Sequence, residues 1–273
     1  MRAASGNSAL AGQRIWVVGA SSGIGAALAE ELHRRGAYLA ITARRSDRLN
    51  EVAGPDMIAV AADVTDPEAM RVAADVVTKS LAGLDVVIWC AGFWKQFDPL
   101  NWNGEVFAQH VEVNLLGLSN LMAAVLPDLI KRRAGQIVVE ASVAGYRGLP
   151  GAEAYGATKA AQISMLESLR ASLKRHRIQV TTVCPGFVRT EMTAGNSFPM
   201  PFLIDADEAA RSIADGLERK RNEIVFPWQM AVLMKVARVL PVWAWTAIST
   251  RAAAPEDRRD QPAKSRRGAP TPR

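Results

Sequence analysis

A glycine-rich loop near the start of the chain constrains its fold more than any other feature. Gly19, Gly23 and Gly25 lie between a short apolar run at residues 15–18 and a helical pattern at residues 26–35. Such glycines let main-chain N–H groups approach a pyrophosphate at the amino terminus of a helix, where the dipole favours an anion. Because the strand before and the helix after supply the expected context, the loop predicts a dinucleotide site and not merely a tight turn. The other loop residues predicted to contact the dinucleotide are Ser21, Ser22 and Ile24.

Short apolar runs alternate with helical patterns along most of the chain. We predict strands at residues 15–18, 39–42, 57–62, 86–89, 137–139, 178–183 and 223–226, and helices at 26–35, 67–81, 105–132, from about 155, and 207–220. This alternation indicates a parallel sheet with helices on both faces. The expected fold class is therefore α/β: a single Rossmann-type domain over residues 13–227, with a doubly wound parallel β-sheet flanked by helices. Residues 1–12 are expected to be a flexible segment.

The end of the second predicted strand indicates which dinucleotide binds. An NAD site usually places an acidic side chain there, whereas this chain has Arg44 and Arg45. Guanidinium groups match a phosphate with forked, charge-assisted hydrogen bonds, so NADP(H) is favoured over NAD(H). The alternative is a solvated basic turn in which Arg45 at least faces water. At the tip of the third strand, Asp63 is predicted to reach the adenine, followed by Val64.

A second group of polar residues follows the fifth predicted strand. Ser142 comes just after the apolar run at 137–139, and Tyr155 and Lys159 stand four residues apart, on one face of a helix. A free phenol titrates near pH ~10, and a neighbouring ammonium lowers that pKa. Such a phenol can give a proton to a carbonyl oxygen or take one from an alcohol. Alternatively, Tyr155 and Lys159 are ordinary surface residues; their spacing gains weight only in combination with the glycine loop.

Charge and composition limit the other function classes. The chain has 273 residues and a net charge of +6, with seven Lys/Arg against three Asp/Glu from residue 251 onward. Most of the excess therefore lies in the tail, which argues against a nucleic-acid-binding body. Cys90 and Cys184 indicate core thiols of a reducing compartment, and no Cys/His cluster has the spacing of a metal site. The start of the chain lacks a signal-peptide core, so a cytoplasmic location is expected.

Two later segments have no clear place in the alternating pattern. Residues 187–204 lack a clean period and are predicted to form a mobile lid whose apolar side chains agree with a hydrophobic substrate. Residues 228–248 are apolar and rich in Trp but are interrupted by Lys235, Arg238 and Pro241, too short a run to span a membrane. This helical segment, 228–250, either lies in a membrane interface or packs over the cleft or a partner subunit. Residues 251–273 are expected to be a disordered basic tail.

These motifs together resemble the classical short-chain dehydrogenases/reductases over roughly residues 13–226. The residues that carry the resemblance are Gly19, Gly23, Gly25, Asp63, Cys90, Ala91, Gly92, Asn114, Ser142, Tyr155, Lys159, Pro185 and Gly186. Two positions depart from the usual pattern of this family. Val18 stands where a threonine is common, and Cys90 stands where an asparagine usually opens the turn before Ala91 and Gly92.

The resemblance implies a role for each matching residue. Tyr155 would be the catalytic acid/base, and Lys159 would bind the nicotinamide ribose and lower the pKa of the tyrosine. Ser142 would polarise the substrate oxygen, and Asn114 would hold a water in a proton relay. The nicotinamide end would be contacted by the main chain after Pro185 and Gly186, by Val188 and by the hydroxyl of Thr190. The turn at Cys90, Ala91 and Gly92 would lie on the cofactor side.

The predicted function is therefore an NADP(H)-dependent oxidoreductase that interconverts a hydrophobic ketone or aldehyde and an alcohol. The cofactor supplies the hydride, and the protein manages the proton. A homodimer or homotetramer is expected by analogy with the resembled family. The alternative is a non-catalytic dinucleotide sensor or a membrane-recruited scaffold with the same fold.

Overall fold

A computed structural model describes residues 8–196 and 198–253 of the chain. Its strands are β1 (Arg14–Val18), β2 (Tyr38–Ala43), β3 (Ile58–Ala61), β4 (Val86–Trp89), β5 (Gly135–Glu140), β6 (Ile178–Pro185), β7 (Val188–Arg189), β8 (Ile204–Asp205) and β9 (Glu223–Phe226). Its helices are α1 (Gly23–Arg34), α2 (Ser46–Ala53), α3 (Pro67–Ser80), α4 (Gly104–Val111), α5 (Gly117–Arg132), α6 (Glu153–Leu173), α7 (Ala206–Glu218), α8 (Trp228–Val239) and α9 (Val242–Ala253).

Seven strands form one parallel sheet in the order β3-β2-β1-β4-β5-β6-β9. The strand order reverses between β1 and β4. Strand β1 pairs with β2 on one side and with β4 on the other, so Val18 lies opposite both Thr42 and Trp89. Because all seven strands run in one direction, the loops after β1, β4 and β5 meet at one edge of the sheet. A crevice at this edge, beside the switch point, is where open α/β sheets bind ligands. The predicted Rossmann-type fold is confirmed.

The residues of β1 explain why helices cover both faces of the sheet. Ile15 and Val17 point to one side and pack into a core with residues of α1, α2 and α7. Trp16 and Val18 point to the other side and pack into a second core with residues of α3, α5 and α6. A strand buried on both faces is apolar throughout instead of alternating with polar residues.

The structure differs from the predicted elements at three places. Helix α2 was missed because only Leu49 and Ala53 of its eight residues are buried, too few to make an apolar stripe. The predicted helix at 105–132 is present, but a π-helical turn at Glu112–Leu116 separates α4 from α5. Helix α7 spans Ala206–Glu218 and so begins and ends slightly earlier than the helix predicted at 207–220.

The packed part of the chain begins before the boundary predicted at residue 13. Leu10 is only 2% exposed and belongs to the α1 side of the core. The hydroxyl of Ser8 donates a hydrogen bond to Glu218. Burial of Leu10 therefore holds residues 8–12 on the domain. The segment expected to be flexible also includes residues 1–7, which lie outside the described part of the chain.

The chain divides into two compact units, Met1–Val239 and Leu240–Arg273. The predicted helical segment at 228–250 is two helices: α8 closes the first unit and α9 lies in the second. Proline has no main-chain N–H, and Pro241 lies at this break. Helix α9 continues to Ala253, and the rest of the tail predicted to be disordered lies outside the described residues.

One helical run of the described residues, Gly104–Arg132, is long and apolar enough to cross a membrane. It supplies α4, α5 and the π-helical turn, and several of its residues are in the core. Length and composition alone are therefore weak evidence for a membrane span, since a core helix passes the same test.

Candidate active site

Two glycines bring the loop after β1 close to its neighbours. Gly19 has φ +96°, and a Cβ on it would lie 2.3 Å from the main-chain nitrogen of Ala91. A Cβ on Gly25 would lie 2.2 Å from the main-chain oxygen of Gly19. Both approaches involve main-chain atoms that cannot swing aside, so only glycine fits. The tight packing joins the loops after β1 and β4 at the start of α1.

The amino terminus of α1 has main-chain donors that no side chain caps. Ser22 is the residue before the first turn, and its hydroxyl makes no capping hydrogen bond; the first turn carries no acidic residue. Unpaired N–H groups and the helix dipole make such a terminus suitable for an anion. This donor set fits the pyrophosphate that the glycine loop predicts.

A cleft of about 250 Å³ opens at this terminus. It is lined by thirteen predicted cofactor residues: Gly19, Ser21, Ser22, Gly23, Ile24, Gly25, Arg44, Arg45, Val64, Cys90, Ala91, Gly92 and Thr190. Five further lining residues were missed: Ala43, Ala62, Val113, Glu140 and Met192. Most of them are apolar residues at strand ends or next to motif residues. The periodicity of the sequence does not distinguish such cleft residues from residues of the core.

Arg45 links the glycine loop to the predicted lid. Its guanidinium donates to the hydroxyl of Ser22 at 2.9 Å and to Glu191 at 3.2 Å. Arg48, which the sequence analysis did not select, reaches the other Glu191 oxygen at 3.3 Å. Arg44 is the most exposed of the three, 3.8 Å from Asp63. Arg45 is thus hydrogen-bonded while about half of its side chain faces water, so both interpretations of this basic turn remain predictions.

Several predicted cofactor contacts do not line this cleft. The carboxylate of Asp63 accepts hydrogen bonds from the main-chain N–H and hydroxyl of Thr65, at 2.9 and 2.8 Å, and so begins a turn into α3. Gly186 faces α8, since a Cβ on it would lie 2.9 Å from Met230. Pro185 and Val188 are buried. The adenine and nicotinamide contacts of these residues remain predictions.

The structure brings Ser142, Tyr155 and Lys159 together. Ser142 lies just beyond β5 and starts a short turn, and the other two residues lie on α6. The Ser142 hydroxyl lies close enough to the Tyr155 phenol to influence its pKa. Lys159 Nζ lies 5.5 Å from the centre of the Tyr155 ring. This juxtaposition was predicted from the end of an apolar strand and a four-residue spacing.

Burial raises the pKa of Tyr155 above its usual value, with a further increase from the charge of Glu140 and an opposing effect of the Ser142 hydrogen bond. The direction of this shift is opposite to the lowering expected from Lys159, because removing a phenolate from water is costly. Burial also lowers the pKa of Lys159, to about 8, and its Nζ donates to the main-chain oxygen of Glu140 at 2.8 Å.

Asn114 fastens the loop after β4 to the helices behind it. Its side-chain oxygen accepts from the main-chain N–H of Phe93 at 2.7 Å, and its amide nitrogen donates to the Phe93 oxygen and to Thr158. Gln162 donates to the main-chain oxygen of Asn114 at 2.7 Å. The contacts of Asn114 are thus those of a structural clamp, and the water-holding role remains a prediction.

An aromatic wall stands beside the Tyr155 ring. Trp94 contacts that ring edge-on at 5.2 Å between centroids and donates from its indole N–H to Asn196 at 2.9 Å. Phe198 lies 6.4 Å from Trp94 and 6.0 Å from Phe187. Phe187 and Phe198 lie in the segment predicted to be an apolar lid, residues 187–204, whereas Trp94 was not predicted to lie at the site. Three aromatic residues within five positions after Gly92 were the available signal.

Residues 13–198 match the model of a family described as short chain dehydrogenase. The chain therefore belongs to the short-chain dehydrogenase family, and it is an oxidoreductase. A protein of Myxococcus xanthus (strain DK1622) named as an uncharacterized oxidoreductase is 37% identical over 231 residues, which cover 82% of this chain and 91% of that protein. The family resemblance predicted from the motifs is confirmed.

Two solved structures show the same architecture. A short chain dehydrogenase from Burkholderia cenocepacia J2315 in complex with NADP has a TM-score of 0.78 and 29% identity, covering 90% of this chain and 99% of that one. A short chain dehydrogenase/reductase from Burkholderia phymatum in complex with NAD has a TM-score of 0.76 and 20% identity, covering 84% and 93%. At that lower identity, the second structure supports the fold alone.

Proposed function

We propose that the protein transfers a hydride between NADP(H) and a hydrophobic ketone, aldehyde or alcohol, with Tyr155 as the acid/base. The observation that carries this proposal is the meeting of Ser142, Tyr155 and Lys159 next to a glycine-lined cleft. None of these side chains alone would indicate a reaction. Together they combine a hydroxyl, a phenol and an ammonium at the edge where open α/β sheets bind ligands.

Each side chain has a distinct part in the proposed reaction. The bound dinucleotide supplies or accepts the hydride. Lys159 holds the nicotinamide ribose, and Ser142 donates a hydrogen bond to the substrate oxygen. In carbonyl reduction Tyr155 gives its proton to that oxygen, and in alcohol oxidation it takes one. A raised pKa keeps the Tyr155 phenol protonated at neutral pH, which is the form required for carbonyl reduction.

NADP(H) is the proposed cofactor because Arg44, Arg45 and Arg48 lie together near the cleft. The NADP-bound Burkholderia cenocepacia relative supports the same choice. Replacement of Arg44 by Ala is expected to weaken NADPH binding about tenfold and to leave NADH binding nearly unchanged, since one phosphate contact is worth on the order of 1–2 kcal/mol. Equal losses for both cofactors would contradict the phosphate contact. Arg189→Ala, at an arginine whose partner is Asp205, is the control.

The hydrophobic substrate is supported by the aromatic wall of Trp94, Phe187 and Phe198. A panel of carbonyl compounds graded by apolar size, followed through NADPH absorbance, tests the reaction and the preference together. Turnover that rises with apolar size supports the proposal. Tight NADPH binding without turnover on any carbonyl would favour the alternative, a dinucleotide sensor.

A homodimer or homotetramer is the proposed assembly, and α8 presents one exposed apolar surface. Trp228, Val232, Val236 and Val239 lie on it, and each is more than half exposed. The basic side chains of α8 are already paired, Lys235 with Glu223 and Arg238 with Glu167, so they offer little to anionic lipid headgroups. Light scattering tests the oligomer, and flotation with anionic vesicles tests the membrane contact expected for residues 228–248.

A further inference from the structure

Glu140 is a half-buried acid that the proposed reaction leaves without a role. It ends β5, two residues before Ser142, and it lines the cleft together with the glycine loop. Its Oε2 is shielded from solvent and has no hydrogen-bond partner. An unpartnered carboxylate oxygen in such a place is costly, so it requires an explanation.

Among the described residues, Lys159 is the positive charge that acts on Glu140. Arg44 and Arg45 line the same cleft but are paired with Asp63 and Glu191. On α6, Lys159 Nζ donates a hydrogen bond to the main-chain oxygen of Glu140. On the same helix, the charge of the Glu140 carboxylate raises the pKa of Tyr155. Just after β4, the thiol of Cys90 influences the pKa of the carboxylate. From β6, Cys184 influences the pKa values of Lys159 and Tyr155. The glycine loop at residues 19–25 contributes no charged side chain to the cleft.

We propose that Glu140 is a positioning residue: its carboxylate is the counter-charge of Lys159 in the cleft and thereby controls the charge that Tyr155 and the bound dinucleotide meet. The inference rests on the proposed function, since it assigns a partner to the lysine of that site. It goes further in placing a second ionisable group beside the reacting centre.

Electrostatics defines what the carboxylate does at this position. When Glu140 is ionised, it holds the proton on Lys159 and opposes ionisation of Tyr155. When Glu140 is neutral, the ammonium is uncompensated. Burial raises the pKa of Glu140 to about 7 and lowers the pKa of Lys159 to about 8. Both side chains therefore change protonation state near neutral pH. When two interacting groups have similar pKa values, the observed midpoints describe the pair and not either residue alone.

The test is the titration of Lys159 by NMR in the full chain, with lysine carbon-13 labelled at Cε and the signal assigned with Lys159→Arg. We expect the Lys159 midpoint to move to lower pH in Glu140→Gln, which removes the charge and keeps the shape. Glu140→Asp retains the charge and is expected to titrate close to wild type. The matched control is Glu153→Gln, at another glutamate with a shielded, unpartnered Oε2.

An unchanged Lys159 midpoint in Glu140→Gln, or an equal shift in Glu153→Gln, would overturn the inference. If Glu140→Gln does not fold, Glu140→Met removes the charge at similar length and carries the same test. Addition of NADPH to wild type separates the two claims: it should perturb the Lys159 signal. An unchanged Lys159 signal on addition of NADPH would contradict the cofactor assignment. The shift of the Lys159 titration midpoint in Glu140→Gln tests only the Glu140–Lys159 pair.

Discussion

Burial determines the protonation of the side chains around Tyr155. Lys159 is 3% exposed, and the Oε2 atom of Glu140 is shielded from solvent. Burial lowers the pKa of Lys159 and raises those of Glu140 and Tyr155, because each charged form loses hydration. The charges of Glu140 and Lys159 partly compensate each other, because the two residues are oppositely charged neighbours.

Replacing Glu140 by Gln should stabilise the protein above pH 7 but not at pH 5. The folded-state pKa of Glu140, about 7, lies above its unfolded value, so its favourable contribution is present at low pH and is lost as the pH rises through 7. The expected gain at pH 8 is about 2 kcal/mol in the free energy of unfolding, after the lost attraction for Lys159 offsets part of the burial cost. Urea unfolding at both pH values measures it, and an equal change at pH 5 would contradict the burial argument.

The sequence predicted which candidate catalytic residues lie together, but not their charge states. Ser142 and the Tyr155–Lys159 pair follow from a strand end and a helical spacing, which are local properties. The sign of the Tyr155 pKa shift depends on how completely the phenol is buried, and that is a property of packing. Glu140 was overlooked because the apolar run was taken to end at residue 139.

The loop between β1 and α1 is the element on which the cleft depends. Its glycines were recognised because their spacing is local, and the structure gives the reason for Gly25: main chain occupies the space of its side chain. In contrast, the π-helical turn at Glu112–Leu116 and helix α2 have no local signature. Their formation depends on contacts with distant parts of the chain, such as the clamp made by Asn114.

Gly25→Ala is expected to lose NADPH binding and about 1–3 kcal/mol of stability, because the added methyl group has no space next to the Gly19 oxygen. Gly104→Ala is the matched control, since a Cβ there meets nothing within 4 Å. Thermal unfolding and NADPH fluorescence measure both effects. Equal behaviour of the two variants would show that the close approach has no consequence.

At the scale of the whole molecule, the first unit contains every residue of the candidate site. The seven-stranded sheet, the cleft and the Ser142–Tyr155–Lys159 group all lie within residues 1–239, and Leu240–Arg273 forms the second unit. The sequence predicted a boundary near residue 227, where the alternation of strands and helices ends. The sequence did not separate α8 from α9, because both helices are largely apolar, contain Trp and carry a basic residue near their end.

A chain ending at Val239 is therefore expected to fold and to bind NADPH like the full chain. Its melting temperature should stay within about 2 °C of wild type, which corresponds to less than about 1 kcal/mol for a domain of this size. Differential scanning fluorimetry and NADPH titration measure this. Loss of folding or of cofactor affinity would mean that the second unit supports the first.

The most direct test of the proposed mechanism is the rate of NADPH-dependent carbonyl reduction by Tyr155→Phe. The NADPH affinity of the same variant is measured alongside. Tyr38→Phe, at an exposed tyrosine, is the control. We predict that Tyr155→Phe loses about 10²–10⁴ in kcat, the usual contribution of a positioned acid, while NADPH binds as tightly as to wild type. Turnover by Tyr155→Phe at the wild-type rate would contradict the assignment of Tyr155 as the proton donor.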